Sequence, residues 1–237
     1  MRRFFSKAVR VFYPKRCVSC GKIIPLSRDY CECSKDTYTT VSDDFCPHCA
    51  RDIENCCCNR EQAVKLRHVT APFLYSGLTR ARLLEFKLAS AKSESEFFSQ
   101  KMAQRFAVSF PLADIDAVTF VPMTKAAVRK RGYNQSELLA KGISKQLFVP
   151  FVKALEKTAE TKNQHTLSQS ERLSNLNGVF QVIDESKVAE KTFILCDDIK
   201  TTGTTLFRCE QALLSAGAKD VYCLCAAISD FGYDLTF

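Results

Sequence analysis

From about residue 65 onward, apolar positions follow two alternating rhythms. Val69 to Tyr75 is a short run rich in β-branched and aromatic residues and predicts a strand, whereas Thr79 to Ala89 and Ser95 to Phe110 carry apolar residues at helical spacing. Asp116 to Val121, ending at Pro122, predicts a buried strand, and a helix should open at Asn134 or Ser136 and run to about Leu147. Val149 to Val152 predicts a short strand. Lys157 to Thr166 is polar and loop-like, Ser168 to Leu176 predicts a short helix, and Gly178 to Ile183 a strand. A strand at Thr192 to Cys196, a helix at about Thr204 to Ala216 and a strand at Val221 to Ala226 complete the series. Strands that alternate with helices imply an α/β domain over residues 65–237, built on a largely parallel sheet. There is no internal repeat, and no apolar run approaches the roughly 18 to 20 residues that a membrane-spanning helix needs.

Composition agrees with a folded chain. The 237 residues are 46% hydrophobic and 25% charged with only 8 Gly and 7 Pro, which excludes collagen-like and wholly disordered classes. The length suits one medium domain plus a small appendage. A formal charge of +8 is unevenly spread, with six Lys/Arg and no acid in residues 1–16. Phe4, Phe5, Ala8, Val9 and Phe12 fall near i, i+4 spacing there, so this arm is expected to be an amphipathic helix. It would cover the core with a solvated basic face, or dock on anionic lipid or nucleic acid. Arg2 and Arg3 form a twin-arginine pair, but Arg10, Pro14, Lys15 and Arg16 interrupt the place of an apolar signal centre. No export signal is expected, so a cytoplasmic location and free thiols are.

The 13 cysteines form two populations. Cys196, Cys209, Cys223 and Cys225 sit in regularly patterned apolar surroundings and read as small core hydrophobes. The other nine crowd into residues 17–58 as Cys17-x2-Cys20-Gly21, Cys31-x-Cys33, Cys46-x2-Cys49 and Cys56-Cys57-Cys58. Repeated close pairs suit tetrahedral zinc, and a segment this short, with few large apolar residues, needs metal to fold. A double zinc ribbon is therefore expected over residues 17–62, holding about two structural Zn²⁺ per chain. The ligands would be Cys17, Cys20, Cys31, Cys33, Cys46, Cys49, Cys56 and Cys58, with Cys57 spare. A sequential arrangement would put the first four on one ion and the last four on the other; an interleaved cross-brace is the alternative. His48 is expected to face solvent.

The segment Phe193-Ile-Leu-Cys-Asp197-Asp198-Ile-Lys200-Thr201-Thr202-Gly203-Thr204-Thr205 carries the chemistry. A buried strand delivers two adjacent carboxylates to its carboxyl end, where open α/β sheets bind ligands. A loop of hydroxyls and one glycine then enters a helix, so backbone N–H groups, Thr hydroxyls and the helix dipole can converge on a phosphate. The spacing is not that of a P-loop.

This stretch resembles the phosphoribosyl pyrophosphate (PRPP) signature of type I phosphoribosyltransferases. Val121 to Lys141 (VPMTKAAVRKRGYNQSELLAK) and Thr161 to Val182 (TKNQHTLSQSERLSNLNGVFQV) resemble two further blocks of the ComF/GntX-like family, and VFYPKRCVSCG fits its approach to the zinc segment. In that family a double zinc ribbon precedes a type I phosphoribosyltransferase-like parallel sheet with flanking helices. Lys200, commonly apolar, the tight Cys31-x-Cys33 pair and the modestly basic Phe86 to Ser93 depart from the pattern. The resemblance implies that Asp197 and Asp198 address the ribose hydroxyls, that Lys200, Thr201, Thr202, Gly203, Thr204 and Thr205 hold the 5′-phosphate, and that Mg²⁺ accompanies PRPP. Lys125, Arg129, Lys130 and Arg131, in the loop after the Val121-Pro122 strand end, would meet the pyrophosphate; the alternative is a solvated basic helix start. Gln164, Arg172 and Asn175 either close over the ligand as a flap or cap a short helix. The activity implied is phosphoribosyl transfer, through an oxocarbenium-like state and without an enzyme nucleophile, to an unidentified acceptor. The alternative is a non-catalytic PRPP sensor or scaffold. Competence is the implied setting, with single-stranded DNA or a DNA-uptake helicase-type protein as partner. A homodimer could use an exposed edge strand or the Phe97-Phe98 pair. A glutamine-dependent amidophosphoribosyltransferase is excluded, because residues 1–60 cannot supply an amidase domain.

Overall fold

The computed structural model describes residues 22–25, 38–56, 58–60, 63–88, 92–158 and 178–229. At its centre lies a parallel sheet of β1 (His68–Thr70), β2 (Phe73–Leu74), β3 (Ala117–Phe120), β6 (Thr192–Lys200) and β7 (Asp220–Ile228) in the order β1-β7-β6-β3, with β2 also on β7. A separate antiparallel pair joins β4 (Leu155–Lys157) to β5 (Phe180–Val182). The central strands β6 and β7 are covered on both faces, which is why they read as continuous apolar runs rather than alternating ones.

Helices α1 (Gly77–Leu88), α2 (Lys92–Ser109) and α4 (Gln135–Leu147) cover one face, where Leu83, Phe86, Phe98, Met102, Leu139 and Ile143 meet Ile194, Cys196 and Leu224. Helix α5 (Thr204–Ser215) covers the other, packing Leu206, Cys209 and Leu213 on Phe193, Leu195, Cys223 and Cys225. The four core cysteines are fully buried, and desolvation holds their thiols well above the ordinary range. They are core residues, as their setting implied. Helices α2 and α4 approach so closely that a Cβ at Gly142 would fall 2.3 Å from the Ser99 Oγ, so only glycine fits.

Several sequence expectations change. The strand expected over Val69 to Tyr75 is two short strands, because Pro72 cannot donate to a ladder. Val149 to Val152 shrinks to one parallel bridge, Phe151 to Val118. The Lys125 to Arg131 stretch is not a loop but a short helix, α3 (Lys125–Arg131), which Thr124 caps through a 3.2 Å bond from Ala127 N–H and Gly132 ends at φ +90°. Phe97 and Phe98 are 3% and 0% exposed, so they belong to the core and cannot form a surface for a second copy. The β1-β2 edge is lined by residues of the cysteine-rich segment. Thr40 bridges Phe73, Val41 N–H donates to the Pro72 carbonyl, and Arg105 of α2 reaches Asp43 at 2.6 Å while lying 4.7 Å over the Phe45 ring. Among the described residues, no helix is long and apolar enough to cross a membrane.

Candidate functional site

Strand β3 ends at Phe120, opposite Cys196, whereas β6 continues along β7 through Lys200. The strand is thus longer than the Thr192 to Cys196 expected, and the acids stand within it rather than at its last residue. Past Cys196, β6 has lost its β3 neighbour, and Asp197 and Asp198 lie where that side of the sheet opens. The Asp197 Oδ1 accepts from Ser136 Oγ at 2.8 Å and from Asp198 N–H at 2.9 Å. Desolvation first, and the Asp198 charge second, push its carboxyl up to about 7. Asp198 accepts from Ile199 N–H at 2.8 Å through Oδ1, and its Oδ2 lies 3.1 Å from the Lys87 ammonium.

Lys87 and Ser136 were not read from the sequence as site residues. Lys87 occupies the last turn of α1, and Ser136 the first turn of α4. Both are held by the turn Gly132-Tyr133-Asn134-Gln135-Ser136. Asn134 caps α4 by accepting from Ser136 N–H at 3.0 Å and donates to the Val121 carbonyl at 3.0 Å; Tyr133 Oη and Gln135 Nε2 both donate to the Phe86 carbonyl. The sequence offers only a polar run, YNQS, ahead of an apolar helix, which any capped helix start shares.

On the α5 side, Asp197, Ile199 and the run from Lys200 to Leu206 line a pocket. Gly203 has φ +83°, and a Cβ there would sit 3.2 Å from the Lys200 Cε, so glycine is required by conformation and by space. The Thr202 and Thr204 hydroxyls lie 3.0 Å apart at the mouth of the helix, where N-terminal N–H groups favour an anion. Lys200 is 5% exposed, and its carbonyl accepts from Ser229 N–H at 2.8 Å. A buried lysine beside a hydroxyl-lined loop suits an anion. Helix α3 exposes Lys125, Arg129, Lys130 and Arg131. Arg131 donates to Gln135 Oε1 at 2.9 Å; among the described residues, the other three have no ion-pair partner.

A second cluster gathers Cys46, Cys49, Cys56 and Cys58, whose sulfurs all lie within 4.8 Å of one another. The Cys46–Cys58 and Cys49–Cys56 sulfurs are 3.7 and 3.9 Å apart. Tetrahedral Zn–S bonds of about 2.3 Å place sulfurs about 3.8 Å apart, so these four could hold zinc as a closed structural site. Burial raises the Cys46 and Cys58 thiols, so a cation is what would make four thiolates favourable there. His48 is exposed and stands outside the cysteine cluster, as expected, but its ring is anchored. Its Nδ1 lies 3.0 Å from the Leu66 and Arg67 carbonyls and must carry the ring proton, while the Pro47 and His48 carbonyls accept from Val69 and Leu66 N–H. The Cys46–Cys49 loop is thereby joined to β1. Cys17, Cys20, Cys31, Cys33 and Cys57, the basic arm, and Gln164, Arg172 and Asn175 lie outside the described residues.

The sequence pattern of the family described as "Phosphoribosyl transferase domain" matches residues 87–230. The DNA utilization protein YhgH of Escherichia coli (strain K12) is 34% identical over 116 residues, 48% of this chain and 50% of that protein, so the match spans half of its length. Competence protein F of Haemophilus influenzae is 24% identical over 89% of this chain and 95% of its own. Competence protein ComFC of Streptococcus pneumoniae is 26% identical over 87% and 96%. Among solved structures, an adenine phosphoribosyltransferase from Saccharomyces cerevisiae aligns at TM-score 0.38 and 17% identity, over 56% of this chain and 70% of that one. The allosteric regulatory enzyme of purine biosynthesis aligns at 0.39 and 21%, over 56% and 25%. With the acids, the hydroxyl loop and strands β3, β6 and β7 of the parallel sheet inside the matched region, which covers more than half of the chain, the protein belongs to the phosphoribosyl transferase domain family and is a homologue of the ComF-type competence proteins.

Proposed function

We propose that this chain binds PRPP with Mg²⁺ and transfers its phosphoribosyl group to an acceptor not yet identified, in the cytoplasm and in a DNA-uptake setting. The observation that carries the reading is the pocket that joins Asp197 to the hydroxyl-rich Lys200–Thr205 run at a helix start, with Asp198 beside it on Lys87. PRPP has a phosphate at one end of ribose and a pyrophosphate at the other. Asp197 and Asp198 suit the ribose hydroxyls between them, and the Lys200–Thr205 loop suits the 5′-phosphate. Lys125, Arg129 and Lys130, exposed on α3, would meet the pyrophosphate. Mg²⁺ would offset ligand charge and assist pyrophosphate departure; the carboxylates and the ligand's oxygens are the hard donors it prefers. Cys46, Cys49, Cys56 and Cys58 would hold one structural zinc and Cys17, Cys20, Cys31 and Cys33 a second.

Calorimetric titration of zinc-loaded protein with PRPP and Mg²⁺ tests the pocket, with Asp197→Asn/Asp198→Asn as control. Saturable binding that the double variant loses is the expected result; no binding by folded, metal-loaded wild type would refute it. Pyrophosphate release across candidate acceptors then tests turnover.

One observation favours a second reading, in which the same pocket is a non-catalytic sensor or scaffold. The exposed cations on α3 suit a nucleic-acid backbone, and the relatives' names place those proteins in DNA utilization and competence. Binding to single-stranded DNA that falls steeply with salt and with Lys125→Ala/Arg129→Ala/Lys130→Ala would support it. A DNA-uptake helicase-type protein or a second copy are the remaining candidate partners.

A further inference from the structure

We propose that Lys87 is a ligand-facing residue of the site: it serves as the resident counter-ion of Asp198 in the free protein and passes to the pyrophosphate end of the ligand when PRPP binds. The inference deepens, and rests on, the reading of this pocket as a PRPP site.

Three observations carry it. First, the Lys87 ammonium lies 3.1 Å from the Asp198 Oδ2, and the two side chains are only 29% and 16% exposed, so each charge is the other's main solvation. A ribose hydroxyl or a Mg²⁺ arriving at Asp198 takes over one side of that pair and leaves the ammonium to find another anion. Second, Lys87 comes from α1, on the sheet face opposite α5 and the Thr201–Thr205 loop. If the loop takes the 5′-phosphate, the anion presented to the Lys87 side is the one on C1. The flexible four-carbon stem allows the ammonium to move several ångströms while its backbone stays in place. Third, that backbone is held with unusual care for a helix end. The carbonyl just before Lys87 accepts from both Tyr133 Oη and Gln135 Nε2, and the same turn places Ser136 on Asp197. Tyr133 and Gln135 are therefore positioning residues. They set where the lysine starts, and Ser136 sets the neighbouring acid from the same five-residue turn. A lysine whose role was only to tie α1 to the sheet would need no such grip, since Leu83 and Phe86 of α1 are already fully buried.

Binding of two probes to full-length, zinc-loaded protein separates the possibilities. PRPP with Mg²⁺ contains the pyrophosphate, and ribose 5-phosphate lacks it. Lys87→Met, which keeps the stem and removes the charge, should weaken PRPP binding by about tenfold or more, the loss of a charge-assisted bond. Ribose 5-phosphate affinity should stay within about twofold, because that ligand never uses the ammonium. Lys87→Arg should recover most of the PRPP affinity. Tyr133→Phe should show a smaller loss with the same preference for PRPP, provided its thermal midpoint matches wild type. Equal weakening of both probes by Lys87→Met would reduce the lysine to a structural tie and overturn the inference. So would PRPP binding unchanged by the substitution. Wild-type protein that binds neither probe would overturn the PRPP reading itself, and the role of Lys87 with it.

Discussion

Replacing Asp197 by Asn should make the protein more stable while removing its ligand site, and the gain should grow with pH. Asn keeps the shape and still accepts from Ser136 Oγ and Asp198 N–H, the two bonds that hold the native side chain. What it removes is a carboxyl whose affinity for a proton is raised by folding from an ordinary 3.8 to about 7. With the folded value above the unfolded one, the native state holds more protons between those limits, and stability is lost as pH rises through them. At about 1.4 kcal/mol per unit, the shift corresponds to a ceiling of about 4 kcal/mol at pH 8 and about 2 kcal/mol at pH 5. The offsetting charge of Lys87 is already contained in that value, and a buried carboxylate relaxes its surroundings as it ionises, so a gain of about 2–4 kcal/mol at pH 8 and about 1 kcal/mol at pH 5 is the expected outcome. Urea unfolding of zinc-loaded wild type and variant at the two pH values reads it directly. A variant no more stable than wild type at pH 8, or a difference independent of pH, would refute the argument that Asp197 is held in the fold at a cost. The same linkage predicts that Mg²⁺–PRPP binding near pH 7 releases protons, visible as a buffer-dependent enthalpy, and that Asp197→Asn abolishes the release together with the binding.

Three further outcomes follow from the geometry. Ser136→Ala removes the hydroxyl that lowers the Asp197 carboxyl, so the pH at which PRPP binding becomes half-maximal should move upward, with affinity recovering at higher pH; an unchanged profile would detach Ser136 from the site. Gly203→Ala combines strain at φ +83° with a Cβ 3.2 Å from Lys200, and should cost about 1 kcal/mol or more in stability and weaken phosphate-bearing ligands most, as urea unfolding and titration with ribose 5-phosphate would show. Stripping zinc with a chelator should loosen the β1 edge, because the Pro47 and His48 carbonyls between the metal-binding pair Cys46 and Cys49 accept from Val69 and Leu66; amide exchange at Leu66 and Val69 should quicken by about tenfold or more while that of β6 stays slow, and equal protection with and without metal would show the loop to be rigid on its own.

Fold class was legible because β6 and β7 are buried on both faces, and a strand so placed must be a continuous apolar run flanked by amphipathic helices. The acids, the Thr-rich loop and the Cys-x2-Cys pairs were equally legible, since each is a local arrangement in which neighbours in sequence do one chemical task. Where local rules met tertiary constraints they failed. Pro72 split one expected strand, Thr124 and Gly132 turned an expected loop into α3, and Phe97 and Phe98 went into the core rather than to a surface. Lys87 and Ser136 were invisible as site residues because they lie 111 and 61 positions from the acids they touch. Nothing in their own neighbourhoods distinguishes them from a solvated helix end and an ordinary helix start. The extent of β6 beyond β3 is also a property of the pairing, not of either strand alone, and it opens the side of the sheet on which the acids stand. A single chain therefore announces the chemistry that is written in consecutive residues. Which charges face that chemistry, and how strongly a carboxyl holds its proton there, depends on desolvation and on partners brought in by packing, and those arise only when distant segments meet.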